Sequence, residues 1–212
     1  MILPSPQTTE MSRILLFHEY LMIILIGILT FVGIMLILIC YRLNPEFVFF
    51  QDLLFDTENN ANKRAEIVWT IVPILLLAAI TFPSFKLLYQ NDEICTFTAI
   101  RKVIGSQWFW TYENRLTSNP SNIAIDLVPR QLSADTSLDV SVGESYRLII
   151  TSNDVIHSWS IPCFGIKTDA IPGRLNGANL LPLIPGVSYG QCSELCGVSH
   201  ANMPCQVYVS NK

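Results

Sequence analysis

The chain has 212 residues, of which half are hydrophobic and only 14% are charged, and its formal net charge is −4. The small negative charge and the absence of a basic cluster argue against a nucleic-acid-binding protein. The positive mean hydropathy instead indicates a membrane protein, because the apolar residues are concentrated in two stretches rather than spread along the chain.

The first predicted element, after a peripheral N-terminal segment (residues 1–19), is a charge-free run over residues 20–41. At about 1.5 Å per residue this run is roughly 33 Å long, which spans a hydrocarbon core of about 30 Å. A cleaved signal peptide is the alternative. The preceding segment contains Glu10, Arg13 and Glu19 rather than a basic region, and no small-residue cleavage site follows. We therefore predict a retained transmembrane helix.

A polar loop (residues 42–66) leads to a second uncharged run over residues 67–85, within a predicted transmembrane helix over 67–89. Pro73 and Pro83 are compatible with this helix, since neighbouring groups in a membrane can satisfy the freed carbonyls. The loop holds three Lys or Arg residues against two on the outer flanks. This bias favours the loop on the inner side and both termini on the opposite side.

The character of the chain changes over residues 90–212, where short β-branched or aromatic segments alternate with Gly, Pro, Asn and Asp. Segments such as SLDVSV and SYRLIITSN alternate apolar and polar residues, as half-buried strands do. The pattern predicts a compact antiparallel β-sandwich or barrel, and about 120 residues are enough to bury a core of their own.

The stretch GQCSELCGVSHANMPC places four potential metal ligands close together, namely Cys192, Cys196, His200 and Met203. Thiolate and thioether are soft ligands, and imidazole suits copper, zinc or iron. A structural zinc site has no use for the methionine, whereas a long axial methionine is typical of electron-transfer copper sites. A disulfide between the two cysteines, or thiols that share one helix face, are alternatives at this point.

His157 begins the strand-like run HSWSIP, and a hydrogen-bonded histidine at a strand edge is its simplest interpretation. If the sandwich brings this strand end beside the cysteine stretch, the site gains a second imidazole. Two thiolates, two imidazoles and one thioether exceed what one electron-transfer copper uses. Two metal ions bridged by both thiolates would use the whole set.

Five segments carry a family resemblance: AEIVWTIVPILLL, GSQWFWTYE, DVIHSWSIP, GIKTDAIPGRLN and GQCSELCGVSHANMP. With them, the chain resembles cytochrome c oxidase subunit II over nearly its whole length. The resemblance implies a transmembrane helical hairpin followed by a cupredoxin-like Greek-key β-barrel or sandwich over residues 90–212. It also implies that the chain accepts electrons from reduced cytochrome c. It would pass them to the haem/copper oxygen-reducing centre of subunit I in a proton-pumping terminal oxidase.

The resemblance further implies two kinds of metal. A dinuclear copper centre, CuA, would be held by two bridging thiolates, two imidazole nitrogens, a weak axial thioether and one backbone carbonyl. These ligands would come from Cys192, Cys196, His157, His200, Met203 and Glu194. The side chain of Glu194 would reach a magnesium ion shared with subunit I, since a hard carboxylate suits magnesium. A solvated loop carboxylate is the alternative for Glu194.

By the same resemblance, Trp108 is the exposed ring through which electrons arrive from cytochrome c, although most such aromatic residues serve packing. Glu66 would lie at the mouth of a proton pathway into subunit I, and an acid at a helix N-terminus also suits the macrodipole. Cytochrome c presents a lysine-rich face, so an acidic docking surface is expected. Its carboxylates would be those of Glu113, Asp135, Asp139 and Asp154.

Four residues depart from the family pattern. Asn153 stands where many relatives carry a second acid, and Ser137 stands where an arginine is common, so the docking surface is expected to be less charged or differently distributed. Cys163 and Cys205 replace small polar or aliphatic residues, and we interpret both as packed thiols rather than ligands.

Three other functions are alternatives. The copper-free homologous subunit of a quinol oxidase is opposed by the filled ligand positions. A CuA-type domain of another reductase, such as one that acts on nitrous oxide, is opposed by the membrane hairpin. A zinc-stapled membrane binding module is the third. We expect the mitochondrial inner membrane, with two spans, the β domain in the intermembrane space and other oxidase subunits as partners; a bacterial plasma membrane is the alternative.

Overall fold

The structure, a computed structural model, describes residues 3–42, 63–93, 96–114 and 131–211. It divides into two units. The helical unit is Leu16–Leu87, and the β unit combines Met1–Leu15 with Leu88–Lys212. Most of the predicted inner loop lies outside the described residues.

Two long helices account for both charge-free runs, α1 (Thr9–Arg42) and α2 (Lys63–Asp92). Each is long and apolar enough to cross a membrane, and no residue in its most apolar window is buried within the protein. The predicted membrane anchor is confirmed, and both helices extend beyond the predicted spans at each end.

The two prolines lie inside α2 without ending it. Pro83 cannot donate to the carbonyl of Ala79, one turn earlier. The hydroxyl of Tyr20 in α1 donates to that carbonyl at 3.2 Å. In addition, Thr70 and Thr81 donate their hydroxyls to carbonyls one turn back, at 2.8 and 2.7 Å. These three hydroxyl groups are therefore satisfied by the backbone of their own helix or of the adjacent helix.

Within its described residues, the β unit contains nine strands in three sheets. A four-stranded sheet has the order β2-β1-β4-β7, a three-stranded sheet the order β3-β9-β8, and β5 pairs with β6. The strands are β1 (Ala99–Ser106), β2 (Phe109–Asn114), β3 (Leu138–Ser141), β4 (Tyr146–Ser152), β5 (His157–Ile161), β6 (Ile166–Ala170), β7 (Asn176–Leu180), β8 (Gly186–Gln191) and β9 (Pro204–Ser210).

The predicted antiparallel pairing is only partly right. Strands β1 and β4 pair in parallel, and so do β3 and β9, whereas the other four pairings are antiparallel. Parallel neighbours require crossover connections. In the sequence, other strands come between the two members of each parallel pair. Alternation along β4, where every second residue is buried, reports which face meets the core and not the direction of the neighbour.

The sheets enclose one hydrophobic core. Its largest fully buried side chains include Trp159, Tyr146 and Phe164, with Leu148 and Ile150 from β4. The core also includes residues of the metal-ligand stretch, since Cys192, Cys196 and Met203 belong to the same buried cluster. The candidate ligands are thus part of the packed interior and are held by the whole β unit.

The N-terminal segment, predicted to be peripheral, packs against the β unit. Gln7 donates its backbone N–H to the carbonyl of Cys163 at 2.9 Å and accepts from the N–H of Leu183 at 3.0 Å. Thr8 is 1% exposed, caps α1 by accepting from the N–H of Met11, and donates to the carbonyl of Phe164. The segment is polar in sequence, and its burial follows from these backbone hydrogen bonds rather than from hydropathy.

Candidate metal centre

His157 occupies the first position of β5, a strand that is buried along its whole length. The ring lies against β1 at Gly105, where an added Cβ would come within 2.9 Å of the imidazole. The indole of Trp110 packs edge-on to the same ring, with 5.8 Å between centroids. Neighbours on two sides therefore fix the imidazole, and the missing side chain of Gly105 makes room for it.

The two ring nitrogens of His157 face different partners. Nε2 lies 2.8 Å from Oδ1 of Asp154, and Nδ1 lies 3.9 Å from Sγ of Cys192. Because a carboxylate only accepts, Nε2 carries the proton in the neutral ring and the lone pair of Nδ1 points at the thiol. A carboxylate behind a histidine in this way is the usual support of a metal-binding imidazole.

Asp154 is held as a carboxylate by its donors. Partial burial opposes its ionisation, but hydrogen bonds from His157 and from the backbone N–H groups of Gln107 and Val155 outweigh it. The pKa of Asp154 therefore lies below its ordinary value.

The copper-loop segment, defined here as residues 191–204, joins β8 to β9. The N–H of Cys192 donates to the carbonyl of Met203 at 3.0 Å, and the N–H of Ser193 donates to the carbonyl of Ser158 at 2.9 Å. The first bond closes the segment on itself and the second fastens it to β5, which carries His157. Loop and strand are therefore joined by the backbone, independently of any metal.

Six potential ligand atoms converge in this segment and on β5. The Sγ atoms of Cys192 and Cys196 lie 3.8 Å apart. Sγ of Cys196 is 3.6 Å from Nδ1 of His200 and 3.9 Å from Sδ of Met203. The carbonyl of Glu194 is 3.4 Å from Sγ of Cys192. With the imidazole of His157, all six residues of the predicted ligand set meet at one place.

The disulfide alternative for Cys192 and Cys196 does not hold in this structure, because both are free thiols. Burial and the neighbouring Cys192 raise the pKa of Cys196 to about 11. The thiol of Cys196 is therefore protonated at neutral pH when no metal is bound, and a metal ion would displace its proton on binding.

The donor set fits copper. Ligand atoms of His157, Cys192 and Cys196 lie within 4.8 Å of one another, and all three residues are buried. Met203 is fully buried with its sulfur at the same site. Soft sulfur donors with imidazole suit copper, and a buried thioether is of no use to a structural zinc site.

Trp108 lies at the turn between β1 and β2, next to the copper-loop segment. A Cβ at Gly197 would meet the indole Nε1 at 3.1 Å, so this ring rests on the glycine. Trp108 is 37% exposed, and the adjoining Gln107 donates its side-chain amide to the carbonyl of Cys196 at 2.9 Å. Sequence reasoning missed Gln107 and Gly105; a glycine inside a strand is a signal of close approach and could have indicated the latter.

The four predicted docking acids have different environments. Glu113 on β2 pairs with Lys102 at 3.2 Å, and Asp139 accepts from the hydroxyl of Ser137 at 3.0 Å. Asp135 is exposed and lines the same surface cleft as Trp108. Asp154, in contrast, has both carboxylate oxygens engaged in hydrogen bonds.

The remaining candidates lie outside the ligand cluster. Glu66 is exposed in the first turn of α2, and the side chain of Glu194 is exposed in the copper-loop segment. Cys205 is fully buried on β9, and burial raises its pKa. Cys163 is half-buried and donates to Oε1 of Gln7 at 3.5 Å.

Comparison with known proteins gives one consistent family. The family described as cytochrome C oxidase subunit II, periplasmic domain, matches residues 99–210, and the corresponding transmembrane domain matches residues 1–87. Cytochrome c oxidase subunit 2 of Albinaria caerulea is 38% identical over 214 residues, which cover 97% of this chain and 91% of that protein. The protein of the same name from Phytophthora megasperma is 39% identical over 223 residues, 96% of this chain and 79% of that protein.

A crystal structure of the periplasmic domain of subunit II of cytochrome oxidase from Bradyrhizobium japonicum is also similar. It is 38% identical, covers 56% of this chain and 88% of its own, and has a TM-score of 0.49.

Proposed function

The chain belongs to the cytochrome c oxidase subunit II family, and from this premise we propose that it accepts electrons from reduced cytochrome c at a dinuclear copper centre. The electrons pass on to the haem/copper oxygen-reducing centre of subunit I, where a proton-pumping oxidase reduces oxygen. One observation carries the proposal: two free cysteine sulfurs lie 3.8 Å apart in the buried interior, next to the imidazole nitrogens of both candidate histidines.

The ligand roles follow from the atoms that point into the cluster. Cys192 and Cys196 would hold copper through Sγ, and His157 and His200 would each supply Nδ1. Met203 would supply a weak thioether, and Glu194 would supply its backbone carbonyl. When bound, a dinuclear copper centre would supply one-electron transfer.

The protein contributes a site that is already arranged. His157 has no exposed surface, its Nε2 donates to Asp154, and Gly105 and Trp110 border the ring. A backbone hydrogen bond closes the copper-loop segment between Cys192 and Met203. Ligands held in this way move little when the charge at the site changes, so little energy is needed for reorganisation.

Trp108 is the residue through which electrons arrive. Its indole is partly exposed and packs on Gly197. In the sequence, Gly197 lies between the two candidate ligands Cys196 and His200. The carboxylates of Glu113, Asp135, Asp139 and Asp154 steer the lysine-rich face of cytochrome c. Steering of this kind raises the association rate and weakens with salt.

Two further roles concern the neighbouring subunit. The exposed carboxylate of Glu194 reaches a magnesium ion shared with subunit I, and Glu66 in the first turn of α2 stands at the mouth of a proton pathway into that subunit. The complex lies in the mitochondrial inner membrane, with the β unit in the intermembrane space. The eukaryotic relatives that match nearly the whole chain support this location.

Metal content and the EPR spectrum of the full chain, purified in detergent and loaded with copper, test the proposal. We expect two copper ions per chain and hyperfine coupling to two equivalent coppers. One copper per chain, bound zinc, or a spectrum of a single copper would contradict the proposal.

Two variants assign the roles. Met203→Leu should keep copper but raise the reduction potential and slow electron transfer, because the weak thioether tunes the site. Trp108→Phe should slow electron acceptance from cytochrome c and leave the copper spectrum unchanged. If Met203→Leu leaves both the copper spectrum and the turnover of the oxidase unchanged, Met203 is not a ligand. If Trp108→Phe slows electron transfer to the haem of subunit I as much as it slows electron acceptance from cytochrome c, Trp108 is not the residue through which electrons arrive.

A further inference from the structure

We propose that Gln107 and Asp154 are positioning residues that clamp the Trp108 turn onto two of the copper ligands, an inference that rests on the proposed function. The backbone N–H of Gln107 donates to Oδ2 of Asp154 at 2.6 Å. The other oxygen, Oδ1, accepts from Nε2 of His157 at 2.8 Å. The side-chain amide of Gln107 donates to the carbonyl of Cys196 at 2.9 Å. One residue next to Trp108 is thus tied to both ligands.

The carboxylate of Asp154 is itself fixed. The N–H of Val155 donates to Oδ1 at 2.6 Å, and the hydroxyl of Ser152 lies 3.3 Å from the same oxygen. Both oxygens are therefore used within the protein, one by the backbone of the Trp108 turn and one mainly by His157. A carboxylate that only attracted a partner protein would not need these inward bonds.

Asn153 adds a second tie between the same two regions. Its side-chain amide donates to the hydroxyl of Ser106 at 3.1 Å, and its N–H donates to the carbonyl of Gly105 at 3.0 Å. An acid at this position could not donate through its side chain. The departure at Asn153 therefore gives this chain an additional hold on the end of β1, immediately before Gln107.

The other side of the clamp is the copper-loop segment. Gly197 has a φ of 127°, and a Cβ there would lie 3.1 Å from both the Gln107 amide and the Trp108 indole. Because Gly197 has no side chain, the Trp108 turn packs directly against the copper-loop segment. The side-chain amide of Gln107 is then within hydrogen-bond distance of the Cys196 carbonyl. Trp108 is held at a fixed place relative to Cys196 and His157, which fixes the path from the protein surface to the ligands.

The clamp separates two roles for Asp154 that sequence alone cannot separate. As a docking charge, Asp154 would act through long-range attraction, which salt screens. As a positioning residue, it acts through direct hydrogen bonds to His157 and to the Trp108 turn, and salt does not screen these bonds. Groups that support metal ligands in this way change metal affinity or activity by about 10- to 100-fold when they are replaced.

The test uses the full chain in detergent, loaded with copper, with Asp154→Asn and Gln107→Ala compared with Glu113→Gln. Glu113→Gln is the matched control, because this substitution also removes one surface charge. Among the contacts described, Glu113 is paired only with Lys102. Three quantities are measured: copper release to a chelator, the EPR spectrum, and the rate of electron acceptance from cytochrome c at low and high salt.

We expect Asp154→Asn to release copper about 10- to 100-fold faster, with altered hyperfine coupling, and to slow electron acceptance at every salt concentration. Gln107→Ala should show the same changes to a smaller degree. Glu113→Gln should keep copper release and spectrum, and its effect on the rate should vanish at high salt.

The proposal is overturned if Asp154→Asn and Gln107→Ala both retain the wild-type release rate and spectrum and lose their rate effect at high salt. Gln107 is exposed, so its truncation should not prevent folding, and it decides the matter if Asp154→Asn fails to fold. A wild-type chain with two coupled coppers upholds the proposed function whatever these variants show, so the two failures are distinguishable.

Discussion

The helical unit and the β unit obtain their stability in different ways. In α1 and α2, the apolar side chains of the spans face outwards and none in the most apolar windows is buried in the protein. In the β unit, residues such as Leu148, Ile150 and Trp159 have no exposed surface. The helices depend on lipid around them and on internal backbone hydrogen bonds, whereas the β unit depends on its own packed core. Equivalent substitutions should therefore have unequal effects in the two units.

The largest difference is expected for glycine. A Cβ at Gly190 would fall on the carbonyl oxygen of Ser160 in β5, a backbone atom that no rotamer change can remove. Gly190→Ala should lower the free energy of unfolding of the β unit by about 4 kcal/mol or more. The matched control is Gly27→Ala in α1, where nothing lies within 4 Å of the added carbon. Near-UV circular dichroism during denaturation of the full chain in detergent measures the free energy of unfolding of both variants. Equal decreases in the two variants would contradict the difference between the β unit and the helical unit.

Leucine gives the next largest difference. Leu148→Ala removes a side chain with 0% exposure and should cost about 2–5 kcal/mol of β-unit stability. Leu29→Ala in α1 removes one that is 72% exposed and should change the free energy of unfolding by less than about 0.5 kcal/mol. Chemical denaturation of both variants under the same conditions tests the pair. A comparable loss at Leu29 would mean that α1 also depends on a packed protein core.

A smaller effect is expected at Gly105, where the cost falls on side chains. An added Cβ would meet His157 at 2.9 Å and Trp110 at 3.1 Å, and both rings are buried. Gly105→Ala should cost about 1–3 kcal/mol and displace the His157 ring, so the spectrum of the copper-loaded chain should change. Gly33→Ala in α1, with open space around it, is the control and should leave the spectrum unchanged. A wild-type spectrum in Gly105→Ala would show that the ring does not need this gap.

The smallest effect is expected at the boundary between the two units, since the first turn of α1 belongs to the β unit. Thr8→Ala removes the cap of α1 and the hydrogen bond to the carbonyl of Phe164, and it should cost about 0.5–2 kcal/mol. Thr8→Ser keeps the oxygen and should restore most of this loss. Hydrogen exchange at the Met11 amide reports the cap directly. No change in either variant would return the segment to a peripheral role.

Much of the fold and most of the site follow from the sequence. The charge-free runs predict α1 and α2, because a membrane span leaves a compositional signal that needs no tertiary context. Cys192, Cys196, His200 and Met203 could be proposed as metal ligands because sulfur and imidazole donors are rare and their combination is chemically specific, whereas the full ligand set came from the family resemblance. The structure brings Cys192, Cys196, His200 and Met203 together with His157, which is 35 residues away from Cys192 in the chain.

Other features left no such signal. The parallel pairing of β1 with β4 depends on crossover connections, which an alternating pattern does not encode. The resemblance predicted Asp154 as a docking carboxylate at the surface, and the residue is exposed. Its hydrogen bonds to His157 and to the backbone N–H of Gln107 are shown only by the three-dimensional arrangement. Gln107 is an ordinary polar residue in sequence, and its bond to the Cys196 carbonyl joins positions 89 residues apart.

The central place of β9 between β3 and β8 has a consequence for biosynthesis. During translation, the middle strand of this sheet emerges last, about 70 residues after β3 is complete. At roughly 5–20 residues per second, β3 waits about 3–14 seconds with an unpaired edge. Over that interval β3 has no partner in its sheet, and an unpaired strand is a template for strand-to-strand aggregation.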